Sequence, residues 1–116
     1  MAVEKKNLIV DLSFEFALKI IEFAEELESL KKYVIAKQIL KSGTSIAANV
    51  REAQNAESKA DFIHKLKISL KQAEETEYWL LLAKYSKNYP TNEELLLNAS
   101  SIIKVLTKII VSSKNK

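Results

Sequence analysis

An all-α fold, an antiparallel up-and-down four-helix bundle, is what this sequence predicts, on three observations. The chain of 116 residues contains one Gly and one Pro. Sheet proteins spend both residues on frequent turns, so a chain almost without them is built from long helices. Apolar residues recur at three- and four-residue spacing over four long segments, the period of one helix face. Short polar stretches separate these segments, and short connections make successive helices antiparallel neighbours. The length fits a single domain over 1–116, with flexible tails at about 1–9 and 112–116.

The first helix is expected over 10–29. Val10, Phe14, Ala17, Ile21 and Ala24 form one apolar stripe, and Leu12, Phe16, Ile20, Phe23 and Leu27 form a second beside it. The second helix is expected over 32–53, with Ile35, Ile39, Ser42, Ile46, Asn49 and Ala53 turned inward. Gly43 sits in its middle, where Gly costs about 1 kcal/mol relative to Ala. With Ala36, Ala47 and Ala48 close by, it predicts a tight contact with a neighbouring backbone. The third helix is expected over 58–86, with Ser58 as N-cap, Asp61 three residues on as an imperfect capping box, and an inner stripe from Phe62 to Ala83. Asn88-Tyr89-Pro90 ends it. The fourth helix is expected over 92–111, capped by Thr91 or Asn92, with Glu93 and Glu94 at the positive end of its dipole.

The first and fourth helices carry more apolar residues than a bundle interior needs. Leu95-Leu96-Leu97 and Ile109-Ile110-Val111 cannot all point inward from one helix. Surplus apolar strips mark a partner surface, which predicts a homo-oligomer. Leu96, Ile103 and Ile110 on the fourth helix, and Tyr78 and Trp79 on the third, are the candidate interface residues. The acids Glu74, Glu75 and Glu77 around the aromatic pair favour packing over base stacking.

Charge is unevenly spread. The net charge is +3, and all but one of the basic residues are Lys, the exception being Arg51. The stretch 31–71 is a basic block between acidic stretches. Lys37, Lys41, Arg51, Lys59, Lys65, Lys67 and Lys71 are the candidate nucleic-acid contacts, since an oligomer would multiply them into a Lys-rich ring that binds RNA or DNA phosphates. The alternative is a protein-interaction scaffold without nucleic acid. For Arg51, a buried or intersubunit pair with one of Glu52, Glu74, Glu75 or Glu77 outweighs phosphate contact. Ser45 and Asn49 lie four residues apart and are expected to hydrogen-bond across a helix contact.

No catalytic constellation is legible. The chain has no Cys and a single His, His64, and no Gly-rich loop. Asp61-x-x-His64 has the spacing of one metal-ligand pair, but no second His exists to complete a bundle metal site. The reading is therefore non-enzymatic, with no cofactor, metal or small-molecule substrate. The N-terminus lacks an apolar core of signal-peptide length, and no uninterrupted apolar run approaches the roughly 18 residues of a membrane span. A cytoplasmic protein without a membrane partner is expected.

Three runs are distinctive: Gly43-Thr44-Ser45-Ile46-Ala47-Ala48-Asn49-Val50-Arg51-Glu52-Ala53, then Asp61-Phe62-Ile63-His64-Lys65-Leu66, then Ser69-Leu70-Lys71-Gln72-Ala73-Glu74-Glu75-Thr76-Glu77-Tyr78-Trp79-Leu80. Together they resemble the 23S rRNA intervening-sequence family, which sometimes carries a ribosomal-protein label. The resemblance implies a small antiparallel four-helix bundle that forms a ring, typically a homopentamer with a central channel. Many members of that family are encoded within intervening sequences of large-subunit rRNA genes. A related accessory protein of diversity-generating retroelements engages nucleic acid through a basic surface. The resemblance attaches no enzymatic activity. Where that family often has Glu-Gly, this chain has Glu52-Ala53.

Overall fold

The structure, a computed structural model, describes residues 7–115. Four helices follow one another: α1 (Leu8–Ser29), α2 (Tyr33–Gln54), α3 (Lys59–Tyr85) and α4 (Glu93–Lys114). The described residues contain no strand. Each helix packs on the next, and α4 closes on α1. The bundle is therefore a square in section, with α1/α2 opposite α3/α4.

Cross-helix contacts fix the antiparallel register. Asn7 reaches Gln54, whereas Ile20 meets Gly43. Lys65 pairs with Glu52, and further along Thr76 meets Ser42. Lys84 pairs with Glu93 at one end of α3/α4, and Lys19 ties α1 to Glu94.

Local chemistry sets the helix ends. Asn7, Ser58 and Asn92 are extended residues whose side chains accept from Val10, Asp61 and Leu95 N–H groups. The imperfect box at Ser58 takes a shifted form: Asp61 accepts from the Glu57 N–H. After α1 the chain makes a Schellman turn. Lys32 N–H donates to Leu27 O and Lys31 N–H to Glu28 O, with Lys31 in the left-handed region at φ 62°.

Two boundaries differ from the sequence expectation. α1 begins at Leu8, because Asn7 supplies a cap upstream of the apolar stripe. α4 continues to Lys114, so residues 112–114 are helical rather than tail. Residues 1–6 and 116 of the expected tails lie outside the described residues.

The core runs the length of the bundle through Phe16, Ile20, Leu27, Ile39, Ile46, Leu66, Leu95, Ile102 and Leu106. Four small hydroxyls are buried with it and all are satisfied. Ser69 donates across the α2/α3 contact to Ile46 O, and Thr76 lies 2.8 Å from the Ser42 hydroxyl and 2.8 Å from Gln72 O. Ser69 to Ile46 O and Thr76 with Ser42 are the buried polar links between α2 and α3. The Ser45 and Asn49 side chains instead donate within α2, to Lys41 O and Ser45 O. They are half-exposed, so the expected cross-helix bonds do not form there.

Candidate interaction faces

The α1/α2 wall carries an apolar strip that nothing among the described residues covers. On α1 the stripe Val10, Phe14, Ala17, Ile21 runs alongside the buried one, and Phe14 is 52% exposed. Ala47 and Ala48 of α2 are too small to cover Phe14, so a notch of about 330 Å³ opens between the helices. Asp11 and Arg51 stand at its rim. Further along, Tyr33, Lys37 and Leu40 of α2 line a second hollow against Glu28.

The α3/α4 wall on the opposite side is also apolar. Lys84 meets Glu93, and the ammonium groups of Lys67 and Lys114 approach each other. These contacts identify the helix stripes that flank the α3/α4 seam. On α3 that stripe includes Leu70, Glu74, Tyr78 and Leu81; on α4 it includes Leu96, Ser100 and Ile103. Tyr78 is 55% exposed, Leu97 69% and Val111 53%. The triplets of α4 divide as the helix period demands: Leu95 and Ile110 are buried, Leu96 and Ile109 half-buried, Leu97 and Val111 outward. By length and composition alone, α4 is apolar enough to cross a bilayer. In the bundle, Ile103 and Val111 on its outer side alternate with Lys104 and Lys108.

Of the interface residues expected from sequence, Leu96, Ile103 and Tyr78 lie on this wall. Ile110 does not: it is 6% exposed and belongs to the core, one residue out of phase with Val111. Trp79 is half-buried against the core, its indole N–H donating to Glu75 and its ring edge-on to Tyr78 at 5.3 Å. The surplus expected on the first helix appears as the strip with Phe14 and Ile21, although neither these residues nor Leu40 of α2 are among the candidate interface residues read from the sequence. The spacing Val10, Phe14, Ala17, Ile21 signalled them, because two adjacent stripes cannot both be buried.

The basic residues do not converge. Lys37 and Arg51 stand on the α1/α2 wall. Lys65 reaches over to Glu52 on the α2/α3 side. Lys67 turns toward α4. Lys41 sits in the first half of α2, whereas Lys59 opens α3 at the other end of the bundle and Lys71 follows four residues after Lys67. The expected ring residues are therefore spread over three walls. Arg51 is exposed, which rules out a buried pair, and Glu52 is taken by Lys65. The structure instead brings Lys114, outside the basic block, beside Lys67. The Lys67 pKa is pushed below its ordinary value, first by the contact with Lys114 and then by its charge. Lys19 and Lys84 move the opposite way, raised chiefly by their hydrogen bonds to Glu94 and Glu93. His64 is exposed. Among the described residues no three acidic, His or Cys side chains group to hold a metal ion.

A family model described as 23S rRNA-intervening sequence protein matches residues 5–109. This chain belongs to that family. A solved structure of a protein with unknown function from the S23 ribosomal protein family of Bacteroides thetaiotaomicron is 48% identical. The match covers 88% of this chain and 97% of that one, with a TM-score of 0.81. No curated protein matches. The bundle, its helix order and its family are thus established together, and neither the family nor this relative is a known enzyme family.

Proposed function

We propose that this protein is a non-enzymatic accessory bundle whose working form is a homo-oligomer held together by its outer apolar walls. The observation that carries this reading is the pair of uncovered strips on opposite sides of one small bundle, Phe14 with Ile21 and Leu40 on one, Tyr78 with Leu97 and Val111 on the other. Scattered surface Leu residues are ordinary, but contiguous strips on a small domain mark contacts. The test is the solution mass of Phe14→Glu and Leu97→Glu. Both positions are more than half exposed, so the bundle should keep its helicity while the mass falls to one chain, 13.2 kDa. Variants that keep the mass of the unmodified protein would contradict the reading.

A second reading, association with RNA or DNA, is favoured by one observation. The Lys67 and Lys114 ammonium groups approach each other, neither lies in an ion pair among the described residues, and Lys71 follows one turn on. A phosphate bridging the two ammonium groups would relieve their repulsion. Such binding is driven by counterion release, so the affinity for a short single-stranded RNA should fall steeply with added salt and drop in Lys67→Gln/Lys114→Gln. Affinity indifferent to salt and to that double variant would rule it out.

A further inference from the structure

We infer that the lysine-fringed half of the α3/α4 wall docks on an anionic lipid membrane, with the bundle lying on the surface and not crossing it. The inference is independent of the self-association proposed above, and it departs from the sequence expectation of no membrane partner. The antiparallel return of α4 sets its second half beside the first half of α3, where Lys67 meets Lys114. Lys71 follows Lys67 by one turn on α3, and Lys104 and Lys108 stand one turn apart on the outer side of α4. All five lysines are exposed, and none lies in an ion pair among the described residues.

An apolar strip runs between the two rows of lysines. Ile103, Thr107 and Val111 recur at four-residue spacing on α4, and a shallow hollow of about 480 Å³ lies over them, rimmed by Lys104 and Lys108. Acid is confined to the edges. Residues 104–114 carry none, Asp61 in the first half of α3 is engaged with the Glu57 N–H, and Glu74 marks the inner end of the patch. Tyr78 and Leu97, which carry the proposed self-contact of this wall, stand on its other half. Pressing five unpaired ammonium groups against an apolar protein face would strip them of water without a partner. In a headgroup layer they stay beside phosphates and water while Ile103 and Val111 enter the acyl boundary, as an interfacial amphipathic helix does. The helix does not span, because its other side, Leu95, Ile102, Leu106 and Ile110, is buried in the bundle. A single-stranded nucleic acid would use the lysines alone. No Phe, Tyr or Trp is exposed within 59–71 or 103–114 for bases to stack on, and the apolar strip would stay wet.

The test is co-sedimentation of the full chain with vesicles of phosphatidylcholine alone, and with vesicles of phosphatidylcholine and phosphatidylserine in equal parts. The chain should bind the anionic vesicles and leave the neutral ones. Lys104→Gln/Lys108→Gln should lower partitioning by about 25-fold, at about fivefold per lysine. Val111→Ser should lower it by about fivefold, through the lost apolar insertion. All three positions are exposed, so helicity by circular dichroism should not change. No binding to the anionic vesicles would overturn the inference. So would a Val111→Ser chain that binds them as well as the unmodified one, since the lysines would then act as a general polyanion site. A short single-stranded RNA that displaces the chain from the vesicles at equal phosphate concentration would assign the patch to nucleic acid instead and overturn it as well.

Discussion

Gly43 of α2 lies against the side chain of Ile20 of α1 so closely that a Cβ built on it would stand 2.8 Å from both Cγ1 and Cγ2 of Ile20. Both residues are buried, so neither can move aside into solvent. The only glycine of the chain is thus spent on helix contact, not on a turn. Gly43→Ala gains about 1 kcal/mol of helix propensity but overpacks the core, which costs about 1–3 kcal/mol. The net expectation is destabilisation of about 1 kcal/mol in urea denaturation. Ile20→Val beside Gly43→Ala should recover part of the loss that the two single changes predict.

The hydroxyl of Thr76 has one proton and two neighbours. Gln72 O can only accept, so the proton goes there and the Thr76 oxygen accepts from Ser42. Thr76→Val leaves the buried Ser42 hydroxyl without that partner and should cost about 1–3 kcal/mol. Thr76→Val with Ser42→Ala should cost less than the sum of the two single changes. A double-mutant cycle read by denaturant midpoints checks this.

Lys31 holds the left-handed position of the turn after α1, where a glycine would avoid the Cβ penalty. The side chain is exposed and lies in no ion pair among the described residues. Lys31→Gly should therefore raise stability by about 1 kcal/mol, seen as a higher thermal midpoint.

Two ion pairs fasten the start of α4. Their lysines, Lys19 and Lys84, have raised pKa values in the folded chain. The stabilisation is then fully present below the ordinary lysine value of 10.5 and is lost as pH rises through the raised values. Lys19 is exposed and Lys84 half-exposed, so the effect is small and screened by salt. Glu93→Gln/Glu94→Gln should show a shallower alkaline loss of stability than the unmodified chain. Lys67 has the opposite sign: Lys114→Gln should stabilise at low salt near neutral pH and have little effect at high salt.

Much of the fold was legible because its signals are local and periodic. The caps Ser58 and Asn92, the inner stripes and the tight contact at Gly43 follow from spacing and residue type alone. The interaction faces were legible only in part. Period alone left Ile110 and Val111 equally eligible for the surface, and one helical step, 100°, separates core from solvent there. The cross-helix hydroxyl bonds fell to Ser42, Ser69 and Thr76 rather than Ser45 and Asn49, because the α2/α3 crossing sets which side of α2 is closed. The Lys67–Lys114 approach joins residues 47 positions apart, and only the antiparallel return of α4 shows it.

The central claim is that the uncovered walls are contact surfaces, and the solution mass of the unmodified chain across a concentration series tests it most directly. Sedimentation equilibrium should give a mass that is a whole multiple of 13.2 kDa, persisting on dilution and unchanged by moderate salt, since apolar walls carry the contact. A mass of 13.2 kDa at every concentration would contradict the account.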